Sequence, residues 1–228
     1  MIAKARQLLV TSTVSASKIA SASTNYNIRS LPPTHQKTAI AIMTKRMKTT
    51  GSFHLPTLAD LCDEHISSPT RLAVVEPGLF HPYGKLPRFF GQIATVRCFE
   101  SNPTVREMLS SPGYHQVLVV DGGGSKRVAM MGDELAKLAA ENNWAGVIVN
   151  GCIRDSAIIN DTHIGVRALG THPVKSLKTH SGDKGVKCAF GGVEFVPGHW
   201  CYVDEDGILV SAKPLHGNEN ANKLVGVI

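Results

Sequence analysis

Two aspartates and an arginine close apolar runs in the middle of this chain, and their chemistry suits an acidic ligand. Asp121 follows the apolar run 117–120 and opens a Gly122-Gly123-Gly124 turn; Arg154 and Asp155 follow the apolar run 145–149 and an Asn150-Gly151-Cys152 turn. Between them, Gly132-Asp133 precedes the segment ELAKLAAENN. Loops at the strand ends of α/β sheets converge beside rigid elements, and ligands bind there. A carboxylate on one loop and an Arg-Asp pair on the next would together suit a hard cation and an acidic substrate. The glycine run by itself is weak evidence for phosphate binding, because no Walker Lys-Ser/Thr follows it.

The elements that must position these residues are readable from periodicity. Residues 117–120 form a strand; Leu135, Leu138 and Ala139 recur at helical spacing; residues 145–149 form the next strand. A helix over 156–160, a strand over 165–169 and a polar, Lys-rich loop over 171–184 follow, then strands at 193–196, 200–203 and 208–210 with Pro-Gly and Asp-Glu-Asp-Gly turns. Upstream, 57–63 reads as a short helix with Thr57 as N-cap and Asp60 at N3. A strand at 72–75, a loop at 77–90, a strand at 91–99 and a helix at 103–111 complete the series. Helical crossovers in the middle and hairpins at the end predict an α/β layered domain with a mixed sheet, or two stacked sheets.

Composition bounds the rest. A chain of 228 residues with 43% apolar content buries one sizeable core. Residues 1–54 read as a basic Ser/Thr-rich extension and 55–228 as the folded domain. Residues 1–59 carry eight Lys and Arg and no acid, leaving sixteen basic against eighteen acidic residues in 60–228. The extension fits a mitochondrial or plastid transit peptide, the mitochondrial one preferred, or else a disordered basic tail on a cytoplasmic protein. The slightly acidic body shows no stripe of cations and stacking aromatics, so direct nucleic-acid binding is not expected. No apolar run is long enough to span a bilayer. Five scattered cysteines without a CxxC pair argue for free thiols, and against a disulfide framework or zinc knuckle.

The motifs LADLCD, GQIATVRCFE, VLVVDGGGS, GDELAKLAA, WAGVIVNGCIRD, ALGTHPVKS and FGGVEFVPGHWCYVDEDGILVS, in order over residues 57–212, resemble one family. It is the RraA-like family: the regulators of ribonuclease E activity A together with the 4-hydroxy-4-methyl-2-oxoglutarate aldolases. The resemblance implies a swivelling β/β/α layered domain with mixed sheets and a homotrimer, sometimes paired into a hexamer. Its enzymes are divalent-metal-dependent pyruvate aldolases that also decarboxylate oxaloacetate, and they carry Gly-Asp and Arg-Asp with twenty residues between, the spacing of Gly132-Asp133 and Arg154-Asp155 here. By that resemblance Asp155 would contact a Mg²⁺ or Mn²⁺ ion. Arg154 would bind the carboxylate and keto oxygen of a 2-keto acid, Asp133 would hold or polarise a water of the metal, and the backbone amides of Glu134 and Leu135 would take the pyruvyl carboxylate. One position departs from the pattern: many aldolase members carry an acid three residues after the Arg-Asp aspartate, and Ile158 stands there.

Both reactions leave the enolate of pyruvate, whose charge calls for a Lewis acid. A single carboxylate with waters suits Mg²⁺ or Mn²⁺, and Arg154 offers a planar two-pronged donor that lysine does not. Each residue has a plainer reading. Asp133 alone reads as a helix N-cap, Arg154 and Asp155 as a surface ion pair, Asp121 as a turn-former, His172 as structural, and Asp204, Glu205 and Asp206 as a hairpin turn. Lys126, beside Arg127, is a weak candidate for a Schiff base. Two functions compete: the lyase, and a non-catalytic protein inhibitor of a ribonuclease E-type endoribonuclease. A quinone methyltransferase fits poorly, because no acid ends a following strand to hold a ribose.

Overall fold

The computed structural model describes residues 56–65, 67 and 72–215. The basic extension and its transit-peptide reading therefore lie outside the described residues. Four helices and twelve strands follow in order: α1 (Leu58–His65), β1 (Leu72–Val74), β2 (His81–Tyr83), β3 (Phe89–Arg97), α2 (Pro103–Leu109), β4 (Val117–Asp121), β5 (Ala129–Met131), α3 (Asp133–Glu141), β6 (Gly146–Ile153), α4 (Ser156–Asp161), β7 (Gly165–Thr171), β8 (Asp183–Lys184), β9 (Cys188–Phe190), β10 (Val193–Phe195), β11 (Trp200–Val203) and β12 (Ile208–Ser211).

The main sheet runs β1-β12-β11-β3-β4-β6-β7-β2, with β5 added on β6 and β8 on β3. Its centre, β3-β4-β6-β7, is parallel, as is β5 on β6; β1, β12, β11, β2 and β8 pair antiparallel. A parallel sheet needs cover on both faces, and two apolar clusters supply it. On one face Val105, Leu109, Leu135, Ala139 and Ile159 from α2, α3 and α4 pack on Leu118, Val120, Val147 and Val149. On the other, Val117, Val119 and Ile148 meet Cys201, Val203, Ile208 and Val210 of the curled β11–β12 layer, joined by Phe195 of the separate β9–β10 hairpin. The result is a β/β/α layering with mixed sheets, as expected.

The ends of the elements differ from the sequence reading. Strand β6 does not stop at Val149. It continues, buried throughout, to Ile153. Asn150-Gly151 forms an irregularity in the pairing with β7 and not a turn. The strand survives its polar residue because Asn150 is satisfied by its neighbour: its amide donates to Asp121 Oδ1 at 2.9 Å, and its carbonyl accepts from Gly122 and Gly124. The expected loop at 77–90 contains β2, whose Pro82 is tolerated because β2 is the sheet's edge. Strands β5, β8 and β9 were not anticipated.

Candidate functional site

Strand β5 leads directly into Gly132, and β6 leads directly into Arg154. The Arg154 N–H donates to Met131 O at 2.9 Å, so the two motifs are pinned to each other through the main chain. The side chains close the same gap. A Cβ on Gly132 would stand 2.8 Å from Asp155 Oδ2 and 3.3 Å from Arg154 Nε, so only glycine leaves the slot these groups occupy. Two motifs with twenty residues between them in sequence are thus in contact.

Gly132, extended at φ −129° and ψ −171°, is the N-cap of α3, and Asp133 is its first residue. This corrects the plainer reading of Asp133 as the cap. Its carboxylate accepts instead from Lys137 Nζ, one turn on, at 3.0 Å. That hydrogen bond, with help from the Glu134 N–H and the charge of Arg154, holds the carboxyl below its ordinary pKa against the opposing effect of burial. The Glu134 carboxylate is taken by Arg106 of α2 at 2.6 Å. The Leu135 side chain is in the core, and its N–H donates to Gly132 O at 3.1 Å within the first turn.

Asp155 adopts the left-handed conformation, φ 56° and ψ 35°, as the N-cap residue of α4, yet its side chain makes no capping hydrogen bond. A non-glycine residue held there is strained by about 1–3 kcal/mol, a cost often found at functional positions. The freed carboxylate faces Arg154, Oδ2 to Nε at 3.2 Å, and both side chains remain open to solvent at 36% and 40% exposure. The surface ion pair is therefore present, on a backbone that an ordinary surface pair would not need.

The remaining candidates are separate from this contact. Asp121 shapes its turn: Oδ1 accepts from Gly123 N at 3.0 Å and from Asn150. With Gly122 and Gly124 donating to Asn150 O, all three glycine amides are committed inward and form no phosphate nest. His172 Nδ1 accepts from Val174 N. Lys126 is exposed. Asp204 carries the hairpin turn, Oδ1 accepting from Asp206 N, and it also accepts from Leu58 N at 2.8 Å, docking α1. Glu205 pairs with Arg88. All five cysteines are free. Burial pushes the Cys98 thiol up to about 12 and Cys188 up to about 11, which makes them poor nucleophiles.

Among the described residues no three His, Cys, Asp or Glu side chains converge as a metal cage. The donor set at Asp155 is one hard carboxylate, which fits a strongly hydrated Mg²⁺ or Mn²⁺ and not a structural zinc. Sequence reasoning missed Lys137, Arg106 and the Met131 carbonyl. The first was legible as an i, i+4 partner of Asp133; the other two depend on contacts between elements. Two cavities, of about 300 and 360 Å³, lie beside α1 and beside Arg167, and none of Gly132, Asp133, Arg154 and Asp155 lines either.

The folded domain is similar to known proteins. The profile of the RraA-like family, described as Aldolase/RraA, matches residues 58–210. A protein of Dechloromonas aromatica (strain RCB), named by inference a 4-hydroxy-4-methyl-2-oxoglutarate aldolase, is 54% identical over 156 residues, 68% of this chain and 96% of its own. Among solved structures, the RNA-processing inhibitor RraA from Thermus thermophilis is 39% identical with a TM-score of 0.67, covering 72% of this chain and 98% of that one. A protein of Geobacillus kaustophilus HTA426, described as an S-adenosylmethionine:2-dimethylmenaquinone methyltransferase, is 50% identical with a TM-score of 0.65, covering 70% and 97%.

Proposed function

The chain belongs to the RraA-like family, and from that premise we propose that it is a divalent-metal-dependent lyase of 2-keto acids. Its reactions would be retro-aldol cleavage of 4-hydroxy-4-methyl-2-oxoglutarate to two pyruvates, decarboxylation of oxaloacetate to pyruvate, or both. The observation that supports this reading best is the contact between Gly132 and the Arg154–Asp155 pair. It draws the carboxylate, the guanidinium and the start of α3 into one place.

Asp155 would hold the Mg²⁺ or Mn²⁺ ion, which supplies Lewis acidity to the substrate's keto oxygen. Arg154 binds the carboxylate beside that oxygen with its planar donor edge. The first turn of α3 adds the positive end of a helix to the same anion; of the two amides the resemblance assigns to it, Leu135 N–H donates to Gly132 O and Glu134 N–H to the Asp133 carboxylate, so the substrate anion would have to compete with these for them. Asp133 stays ionised because Lys137 holds it, which makes it a poor base and a good hydrogen-bond acceptor. It orients the water that carries the 4-hydroxyl proton away as the C3–C4 bond breaks. Donors aimed at developing charge are each worth about 3–4 kcal/mol.

With 40% and 36% exposure, the Arg154–Asp155 pair is open on a single copy. A homotrimer, alone or paired into a hexamer, would wall it in; sedimentation of the full chain tests this. The test of function is pyruvate release from both substrates with Mg²⁺ or Mn²⁺ and then with EDTA. Metal-dependent turnover that falls by about 10²–10³-fold in Asp155→Ala is expected. A folded, metal-supplied protein inert on both substrates would rule the lyase out. The likeness to an RNA-processing inhibitor favours a second reading, a regulator of an endoribonuclease. Inhibition of the ribonuclease that survives Asp155→Ala would support it.

A further inference from the structure

Resting on the reading of Asp155 as the cation's ligand, we infer that Arg154 is a charge latch on that carboxylate, so that a divalent cation and a carboxylate ligand each bind more tightly when the other is present. Three observations lead to it. Asp155 Oδ2 lies 3.2 Å from Arg154 Nε, and the Arg154 side chain has no other ion pair or hydrogen bond among the described residues. The Asp155 carboxylate is released from capping α4 and so is held from the side-chain end by Arg154. Gly132 packs against both groups, its missing Cβ 2.8 Å from Asp155 Oδ2 and 3.4 Å from Arg154 Cγ, so the pair has no room to move apart on that side.

The electrostatics then follow from charge balance. The resting pair is neutral. A divalent cation arriving alone at Asp155 must take the carboxylate from a guanidinium and then sit beside that guanidinium's charge. The one further acid that feels Arg154 among the described residues, Asp133, is already paired with Lys137, so that pair adds no net charge to offset the repulsion. A carboxylate bound by Arg154 offsets it, and the coupling is reciprocal by linkage. The pair is solvent-exposed, which places its contribution at the low end, about fivefold in affinity. Arg154 in this role is a positioning residue for the cation, besides its contact with the substrate. The enzyme would thereby bind metal weakly until an acid is in place.

The experiment is Mn²⁺ binding to the full chain, read by the electron paramagnetic resonance of free Mn²⁺, with and without propionate. Propionate carries a carboxylate but no keto oxygen, so it does not chelate the ion as a 2-keto acid would. For the wild type, propionate is expected to tighten Mn²⁺ binding about fivefold. Arg154→Met and Arg154→Gln should bind Mn²⁺ more tightly than wild type without propionate, and propionate should then change nothing. Thermal melts of both variants show that they are folded. If both bind Mn²⁺ no tighter than wild type, or if propionate acts equally on them, the latch is overturned while the metal site stands. If Mn²⁺ binding is absent, or is unchanged in Asp155→Asn, the metal site itself is overturned, and the latch with it.

Discussion

Gly132 has ordinary backbone angles, so its importance lies in the space beside it. In Gly132→Ala the new methyl would meet Asp155 Oδ2 at 2.8 Å and Arg154 Nε at 3.3 Å. Because the φ of −129° suits alanine, the fold should lose less than about 1 kcal/mol while the displaced pair costs most of the activity. Urea melts set beside pyruvate release check this; equal losses of stability and activity would argue against it. Lys137 acts on the neighbouring residue. It draws the Asp133 pKa below the ordinary carboxylate value, so the stabilisation is complete above the unfolded value of about 3.9 and fades as pH falls through the lower native value. Lys137→Met should therefore cost about 0.3–0.5 kcal/mol at pH 6, a small effect because the pair is partly exposed, and progressively less as pH falls through the lowered native pKa. A gap between the two proteins that persists at low pH would mean Lys137 stabilises through packing instead.

At the scale of elements, α1 depends on a residue far along the chain. Thr57 and Asp60 close a capping box at its start, with Asp60 N–H to Thr57 Oγ1 at 3.1 Å and Thr57 N–H to the Asp60 carboxylate at 3.2 Å. Leu58 N then donates to the buried Asp204 at 2.8 Å. Asp204→Ala should cost about 2 kcal/mol by leaving two N–H groups without acceptors, and Asp204→Asn should recover part of it. Denaturant titration reads both. The capping box was legible in sequence because its partners are three residues apart; the Asp204 contact was not, because it joins elements at opposite ends of the domain. The same rule separates the strands. Residues 117–120 and 145–149 announce themselves as unbroken apolar runs buried on both faces. Strands β5, β8 and β9 have two or three residues, too few for a period. Asn150-Gly151 has turn composition, yet the glycine loop after β4 satisfies Asn150 and lets β6 continue. At the candidate site, the Gly-Asp and Arg-Asp spacing was readable. The left-handed Asp155 and the hold of Met131 on Arg154 arise only when β5 pairs with β6.

Across the whole molecule, Arg167 ties the layers together. It is 4% exposed and sits 5.7 Å over the Phe89 ring; its guanidinium donates to Pro87 O at 2.8 Å and Asp204 O at 2.9 Å. Burial pulls its pKa down, opposed by Glu205 and Asp204. A buried charge without a carboxylate partner is costly, so the two carbonyl contacts and the ring must outweigh that cost for the native pose to persist. Arg167→Met should destabilise the domain by about 2–4 kcal/mol, and Arg167→Lys should rescue it only in part, since an ammonium could take the two carbonyls that Nη2 binds but loses the Nη1 bond to Val166 O and the planar guanidinium over Phe89. Chemical unfolding that shows either variant as stable as wild type would contradict this.

The strand order carries a consequence for how the chain is made. β1 pairs with β12, Leu72 opposite Ser211, so the first strand of the domain finds its partner only in the last. During synthesis the parallel core from β3 to β7 can assemble once residue 171 is clear of the ribosome, whereas β1 must wait for some forty residues more. Until then α1 and β1 have no sheet to join, and truncation before Ile208 would strand them permanently. The same adjacency brings the two ends of the domain together, so a circular permutant joining them and opened elsewhere would keep every strand pair.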